Sequence, residues 1–434
     1  VISGEDKLMA SQHQENQALE KKKIEVRSWI LFDFANSVYP AVISSVVFQV
    51  FFINTVVGNE SGEGDWWWGR AVALSVLITA LTSPILGAIA DRSGVRKKFM
   101  GFYVALCLIG VTLFPTIEPG MVSWAFSLFV LANVGFEGCL PFYNAYLSEL
   151  VPSERQGWVS GQGFALGYLG SALGLGFALV ILSFIGNLDL VWLMVAAFFL
   201  IFSIPSFLFL PADDSRGKES IMQGVKWGVR NVRTLWNEVM AEKEIRNFLI
   251  AYFFYIDGVL TAIYMASTLA ATTFGYSQNE LIYLFLLIQI AALAGAFLLA
   301  KPTDRFGPKK ILNGVLILWI SVALGIYFIP DTSKLGFAFL GLIAGLGLGS
   351  VQSASRTLMA RLTPRDREGE MFGFYALCGK SSSVVGPLVF GYVAFATGGN
   401  QKLSVMSISI FFVIGLVLLQ KVNEAPVRQN PDLF

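Results

Sequence analysis

The chain has 434 residues, of which 55% are apolar and only 14% charged, against roughly 25% charged in an ordinary soluble domain, so a soluble globular protein is excluded. Lys and Arg total 31 against 30 Asp and Glu, which leaves no basic excess to hold nucleic acid. Three cysteines in apolar runs (Cys107, Cys139, Cys378) and a single histidine, His13, exclude a disulfide framework, a metal centre and histidine catalysis.

A bilayer crossing needs about 20 apolar residues. Residues 1–27 read as a polar tail. Residues 28–57 form a first crossing too long to be the apolar core of a cleaved signal peptide. Further crossings are expected at 67–90, 99–117, 120–147, 157–185 and 188–210, completing a first bundle over 28–210. Residues 211–246 form a linker. A second bundle over 247–422 contains crossings at 247–273, 279–300, 310–329, 335–362, 370–397 and 403–422, followed by a tail at 423–434. The expected fold is all-α and integral to the membrane, with twelve transmembrane helices in two six-helix bundles.

With the N-terminus in the cytoplasm, 26 Lys and Arg fall on that side and three (Arg70, Lys334, Lys402) on the other. This asymmetry predicts cytoplasmic termini. Trp66, Trp67 and Trp68 suit an interfacial belt at the outer end of the second crossing, or simply pack the loop. In the linker, Ile221, Val225, Val229, Val232, Trp236 and Val239 recur every three or four residues, with Lys226, Arg230 and Arg233 between them. This pattern predicts a helix lying on the membrane surface with its apolar side in lipid.

Two motifs occur twice. Asp91-Arg92-Ser-Gly94-Val-Arg96-Lys97 returns in the second half as Asp304-Arg305-Phe-Gly307-Pro-Lys309-Lys310. Pro152-Ser-Glu154-Arg155-Gln-Gly157 returns, at nearly the same offset, as Pro364-Arg-Asp366-Arg367-Glu-Gly369. One shared register means a duplicated six-helix unit, the plan of many secondary transporters, with the substrate site at midplane between the halves. Glycines crowd the fifth crossing (Gly161, Gly163, Gly167, Gly170, Gly174, Gly176) and the tenth (Gly341, Gly345, Gly347, Gly349), which predicts close helix packing there.

The Asp-Arg-x-Gly-x-Arg-Lys loop resembles the signature loop of the major facilitator superfamily. Phe32-Asp33-Phe34-Ala35-Asn36-Ser37, Gly167-Tyr168-Leu169-Gly170-Ser171, Tyr255-Ile-Asp257-Gly258, Gly373-Phe374-Tyr375 and Gly379-Lys380-Ser381-Ser382-Ser383 narrow the resemblance to its vacuole-effluxer branch, as does Gly386-Pro387. Fungal members of that branch are linked to amino-acid export from the vacuole during autophagy. The resemblance implies a central cavity lined by the first, fourth, seventh and tenth crossings. It also implies a plasma-membrane location in a bacterium or a vacuolar one in a fungus.

Five ionisable residues fall within crossings: Asp33, Glu137, Asp257, Arg356 and Lys380. Each costs at least ~2.5 kcal/mol at a helix centre, which marks a substrate or proton path by default. The bland reading is helix-to-helix glue. Arg356 is expected to pair with Asp33 or Glu137, and the Asp33 and Arg356 positions suit either gating or substrate contact. Glu137, near the middle of its helix and flanked by glycines, is the expected proton-coupling group, close to Arg356 or Lys380. Asn36, Tyr143, Asn144, Tyr264 and Gln352 are candidate hydrogen-bond partners for a polar solute. At the loops, Asp91 is expected to face the start of the eleventh crossing. Arg92 and Arg96 are expected to reach Glu149 or Glu154, and Asp304, Arg305 and Lys309 to repeat the arrangement, together closing the cytoplasmic side.

No phosphate-binding loop is present, which disfavours ATP-driven pumping. The favoured reading is a monomeric secondary carrier, not an enzyme and without cofactor, that moves a small polar solute such as an amino acid with protons as the coupling ion. The alternatives are a lipid or lysolipid flippase of the same fold and a non-transporting receptor.

Overall fold

The computed structural model describes residues 4–58, 63–212, 223, 232–382 and 385–424, and among these it contains helices and no strands. Among the described residues, eleven helical segments are long and apolar enough to cross a membrane: Leu19–Val57, Glu63–Ser93, Arg96–Thr116, Val122–Leu150, Ser153–Ile185, Leu188–Phe209, Lys243–Thr272, Tyr283–Phe306, Pro308–Phe328, Lys334–Leu362 and Gln401–Leu419. They are spans one to ten and span twelve. The expected crossing at 370–397 falls on two helices, Glu368–Ser382 and Val385–Ala396, together called span eleven.

The polar tail does not stop the first helix, which runs continuously over Gly4–Asn36. Its Ala, Gln, Glu and Lys are strong helix formers, so the helix propagates outward from the apolar segment. Beyond Asn36, span one loosens into π-helical turns at Pro40–Ser44 and Phe52–Val57. Span ends carry their own stops. Asn187 accepts amides at the start of span six, Ser277 and Glu280 form a reciprocal capping box at span eight, and Asn400 caps span twelve. The motif glycines Gly94 and Gly307 turn the chain at φ of +60° and +90°, a region open to glycine without steric cost.

The linker departs from expectation. Its helix Val232–Ala241 docks on the protein, with Leu235 and Val239 fully buried, Trp236 against Phe374, and Glu238 paired with Arg367 at 3.0 Å. Leu235, between the expected apolar positions, supplies an extra buried residue facing the bundle. Ile221, Val225, Lys226, Val229 and Arg230 lie outside the described residues.

Glycine places the spans. A Cβ on Gly163, Gly167, Gly170 or Gly174 would strike Asp33, Ser37, Phe34 or Val38 respectively, so span five offers a smooth trough to span one. Gly345 and Gly349 seat span ten on span eight in the same way. Between the two halves, span two packs along span eleven, span five along spans eight and ten, and span four against span eleven. Gly87 meets Gly369 backbone to backbone, and Gly373 meets Ser83 and Pro84, so no side chain fits between spans two and eleven.

Candidate functional site

The halves are joined by two helix-end tethers on one face. The Asp91 carboxylate accepts the Gly369 amide at 3.0 Å and the Glu370 amide at 2.9 Å, at the start of span eleven. The Asp304 carboxylate accepts the Gly157 and Trp158 amides at 2.7 Å each, at the start of span five. Unpaired amides and the helix dipole favour an anion there. Buried Arg96 binds Asp91 at 2.9 Å, Glu149 at 2.9 Å and Glu368 at 3.3 Å, linking three elements across the halves.

The second motif copy is completed differently. Lys309, at the position matching Arg96, donates to the Gln420 and Val422 carbonyls at the end of span twelve. It therefore fastens that helix end rather than closing the gap between halves. Arg361 takes the central place, 3.3 Å from Asp304 and 2.7 Å from Glu424. Arg305 is exposed, its guanidinium 5.2 Å from the Phe306 ring centre, and Arg92 is exposed beside buried Arg96.

Deeper in the molecule, Arg356 of span ten reaches across to span one. It donates to Asp33 at 2.9 Å, to Asn144 Oδ1 at 3.3 Å, and twice to Ser160, at Oγ (2.9 Å) and the carbonyl (2.8 Å). Its guanidinium lies 4.1 Å from the Phe164 ring centre and 4.7 Å from that of Trp29, so both rings are close enough to stabilise the cation. Of the two acids expected for Arg356, it is Asp33 that pairs. Glu137 pairs instead with Lys380 of span eleven at 2.6 Å through Oε1, while its buried Oε2 has no hydrogen-bond partner.

Asp257 stands apart from both pairs. Fully buried, it accepts the Gly386 amide at 3.0 and 2.8 Å and the Thr261 hydroxyl at 3.4 Å, and no cation among the described residues forms a salt bridge with it. It thereby holds a backbone amide of span eleven from span seven. Tyr143 stacks on Trp29, and each donates to the other's backbone carbonyl, which makes this pair a packing unit beneath Arg356. Asn36 is buried with its amide nitrogen unpartnered, and Tyr264 is largely exposed.

A cavity of about 400 Å³ lies one helical turn beyond the Arg356 layer, on the side away from the tethers. Span one contributes Pro40, Ala41 and Ser45 from its loosened turn, and span five contributes Tyr168 and Ser171. The rest of the wall comes from spans seven, eight, nine, ten and twelve. Tyr168 donates to Gln352 at 3.2 Å, joining the halves at the cavity floor. Of the solute-contact candidates named from sequence, Gln352 lines this space. Ser160, Arg361, Glu368, Tyr168, Gln289 and Trp319 were not anticipated. The Ser160-Gly161 pair on a glycine-rich helix was the one available signal for a hydroxyl pressed against a neighbouring span.

The sequence profile described as "Vacuole effluxer Atg22 like" matches residues 70–430. The chain belongs to that family. An MFS-type transporter of Bacillus subtilis (strain 168), YxiO, described as uncharacterized, is 31% identical over 92% of this chain and 94% of its own length. Among solved structures, the human organic anion transporter MFSD10 (TETRAN) superposes with a TM-score of 0.73 at 16% identity, covering 92% of this chain and 98% of that one. A point variant of the E. coli fucose:proton symporter FucP superposes with a TM-score of 0.70 at 15% identity, over 93% and 98%. The protein is thus an integral membrane transporter of the major facilitator fold, not an enzyme.

Proposed function

We propose that this transporter is a secondary carrier that works by alternating access, and that the described conformation is the one sealed on the tethered face. The observation that carries the reading is the layered closure: Asp91 and Asp304 grip helix ends across the halves, and Arg356 with Asp33 forms a second seal between them and the cavity. Such contacts are made of helix-start amides and ion pairs that water can replace once the halves part, so the seal can open without unfolding a helix. The excess of Lys and Arg in the loops of this face supports cytoplasmic termini, in the plasma membrane of a bacterium or the vacuolar membrane of a fungus. The cargo is a small organic solute; an amino acid is what the family resemblance implies, not what the cavity wall favours.

The Glu137–Lys380 pair is the proposed coupling site for protons. One carboxylate oxygen holds the lysine while the other is buried without a partner, so a proton can take the lysine's place and free the contact between spans four and eleven. FucP, a fucose:proton symporter, is an instance of such coupling in this fold. In proteoliposomes, Glu137→Gln should abolish solute movement driven by a pH gradient and preserve exchange of labelled for unlabelled solute. Full gradient response in Glu137→Gln, with loss in Asp33→Asn or Asp257→Asn, would move the coupling to that aspartate. Normal response in all three would remove proton coupling from these carboxylates.

A further inference from the structure

We propose that the cavity is a binding site for an uncharged amphipathic solute, and that the Gln289 amide and the apolar wall around it determine specificity. The proposal rests on the carrier reading and names its class of cargo.

The first observation is the charge of the wall. None of the described residues lining the cavity is acidic, basic or a histidine. The nearest guanidinium, on Arg356, is 2% exposed, with its donors taken up by Asp33, Asn144 and Ser160. A carboxylate or ammonium brought into this space would therefore lose its water and meet no counter-charge, a large penalty. A zwitterion would suffer it twice.

The second observation is the sparse polarity of that wall. Gln289 of span eight supplies a side-chain amide to it, and Ile288, Trp319, Leu348 and Phe412 supply apolar surface. Apolar walls with a few convergent polar groups, at about 400 Å³, are what a small organic ligand requires.

Four compounds with one body separate the charge states: N-acetyl-L-phenylalanine amide (neutral), N-acetyl-L-phenylalanine (anion), L-phenylalanine amide (cation) and L-phenylalanine (zwitterion). With the purified full chain, calorimetric titration and ligand-induced thermal shift should show the neutral compound binding at least about 10-fold more tightly than any of the others. Gln289→Leu, which keeps much of the volume and removes the amide, should weaken the neutral compound by about 2- to 10-fold. Ala266→Trp, which fills the cavity from span seven, should abolish binding and keeps the test open if Gln289→Leu does not fold. The proposal is overturned if the zwitterion or either ion binds as tightly, if the neutral compound fails to bind up to its solubility, or if its affinity survives Ala266→Trp or a folded Gln289→Leu. Binding of the neutral compound without any transmembrane movement of its labelled form would instead overturn the carrier reading and leave the site standing.

Discussion

Asp91 and Asp304, at matching positions of the duplicated motif, make the same contact from opposite halves: each carboxylate accepts two consecutive backbone amides at the start of a helix in the other half. The donating pairs, 157–158 and 369–370, are themselves separated along the chain by nearly the same interval as the two aspartates. The tether is therefore a product of the duplication, made once from each half. The cations around it are not duplicated: Arg96 enters from the start of span three, Arg361 from the end of span ten.

The buried pair between Arg356 and Asp33 has side chains only 3% and 10% exposed. Removing one partner strands a charge, so Arg356→Gln and Asp33→Asn should each lower stability by about 3–5 kcal/mol. The double variant should cost clearly less than the two losses combined. Thermal or chemical unfolding of the four proteins in a double-mutant cycle measures this. Strict additivity would show that the two side chains do not depend on each other.

Gly163 leaves room for that pair, because a Cβ there would overlap the Asp33 carboxylate and lie 2.8 Å from an Arg356 nitrogen. Gly163→Ala should therefore resemble loss of the pair, while Gly176→Ala, where a Cβ meets nothing within 4 Å, should be neutral or slightly stabilising. Melting temperatures of the two variants compare them directly. Equal values would mean that span one has space to shift.

On the face away from the tethers, Glu280 is joined to Lys334 at 2.8 Å. The hydrogen bond from Lys334 and the amide and hydroxyl of Ser277 hold the Glu280 carboxyl down at about 2, against an ordinary 4.5. A depressed folded value means that the contribution is complete above about 4.5 and fades as pH falls toward about 2. The difference in melting temperature between the parent and Glu280→Gln should be flat from neutral pH to about 5 and shrink below that. A difference that vanished near neutral pH would show that Lys334 does not hold the carboxylate.

Crossings and tethers were legible in the sequence because they depend on apolar run length and on a motif written twice. Arg361 was not, since its partners Asp304 and Glu424 lie 57 and 63 residues away along the chain and no local spacing reports them. Asp257 read as a substrate- or proton-path charge because its partner, the Gly386 amide of span eleven, is a backbone group that no side-chain pattern reports. The uncharged cavity was also hidden: the five intramembrane charges suggest a polar path, yet all of them are turned into cross-helix contacts outside its wall.

In the proposed alternating-access cycle the tethers hold a closed state in balance with an open one. Spin labels at Lys98→Cys and Lys310→Cys, exposed positions at the starts of spans three and nine, in a Cys378→Ala background, report the distance between the halves on the tethered face. The parent should give a short distance, and Asp91→Asn and Asp304→Asn should each add a long-distance population, larger when both are combined. A coupling of about 1–3 kcal/mol would change the ratio of states by roughly 5- to 150-fold. Identical distance distributions in the parent and the combined variant would contradict it.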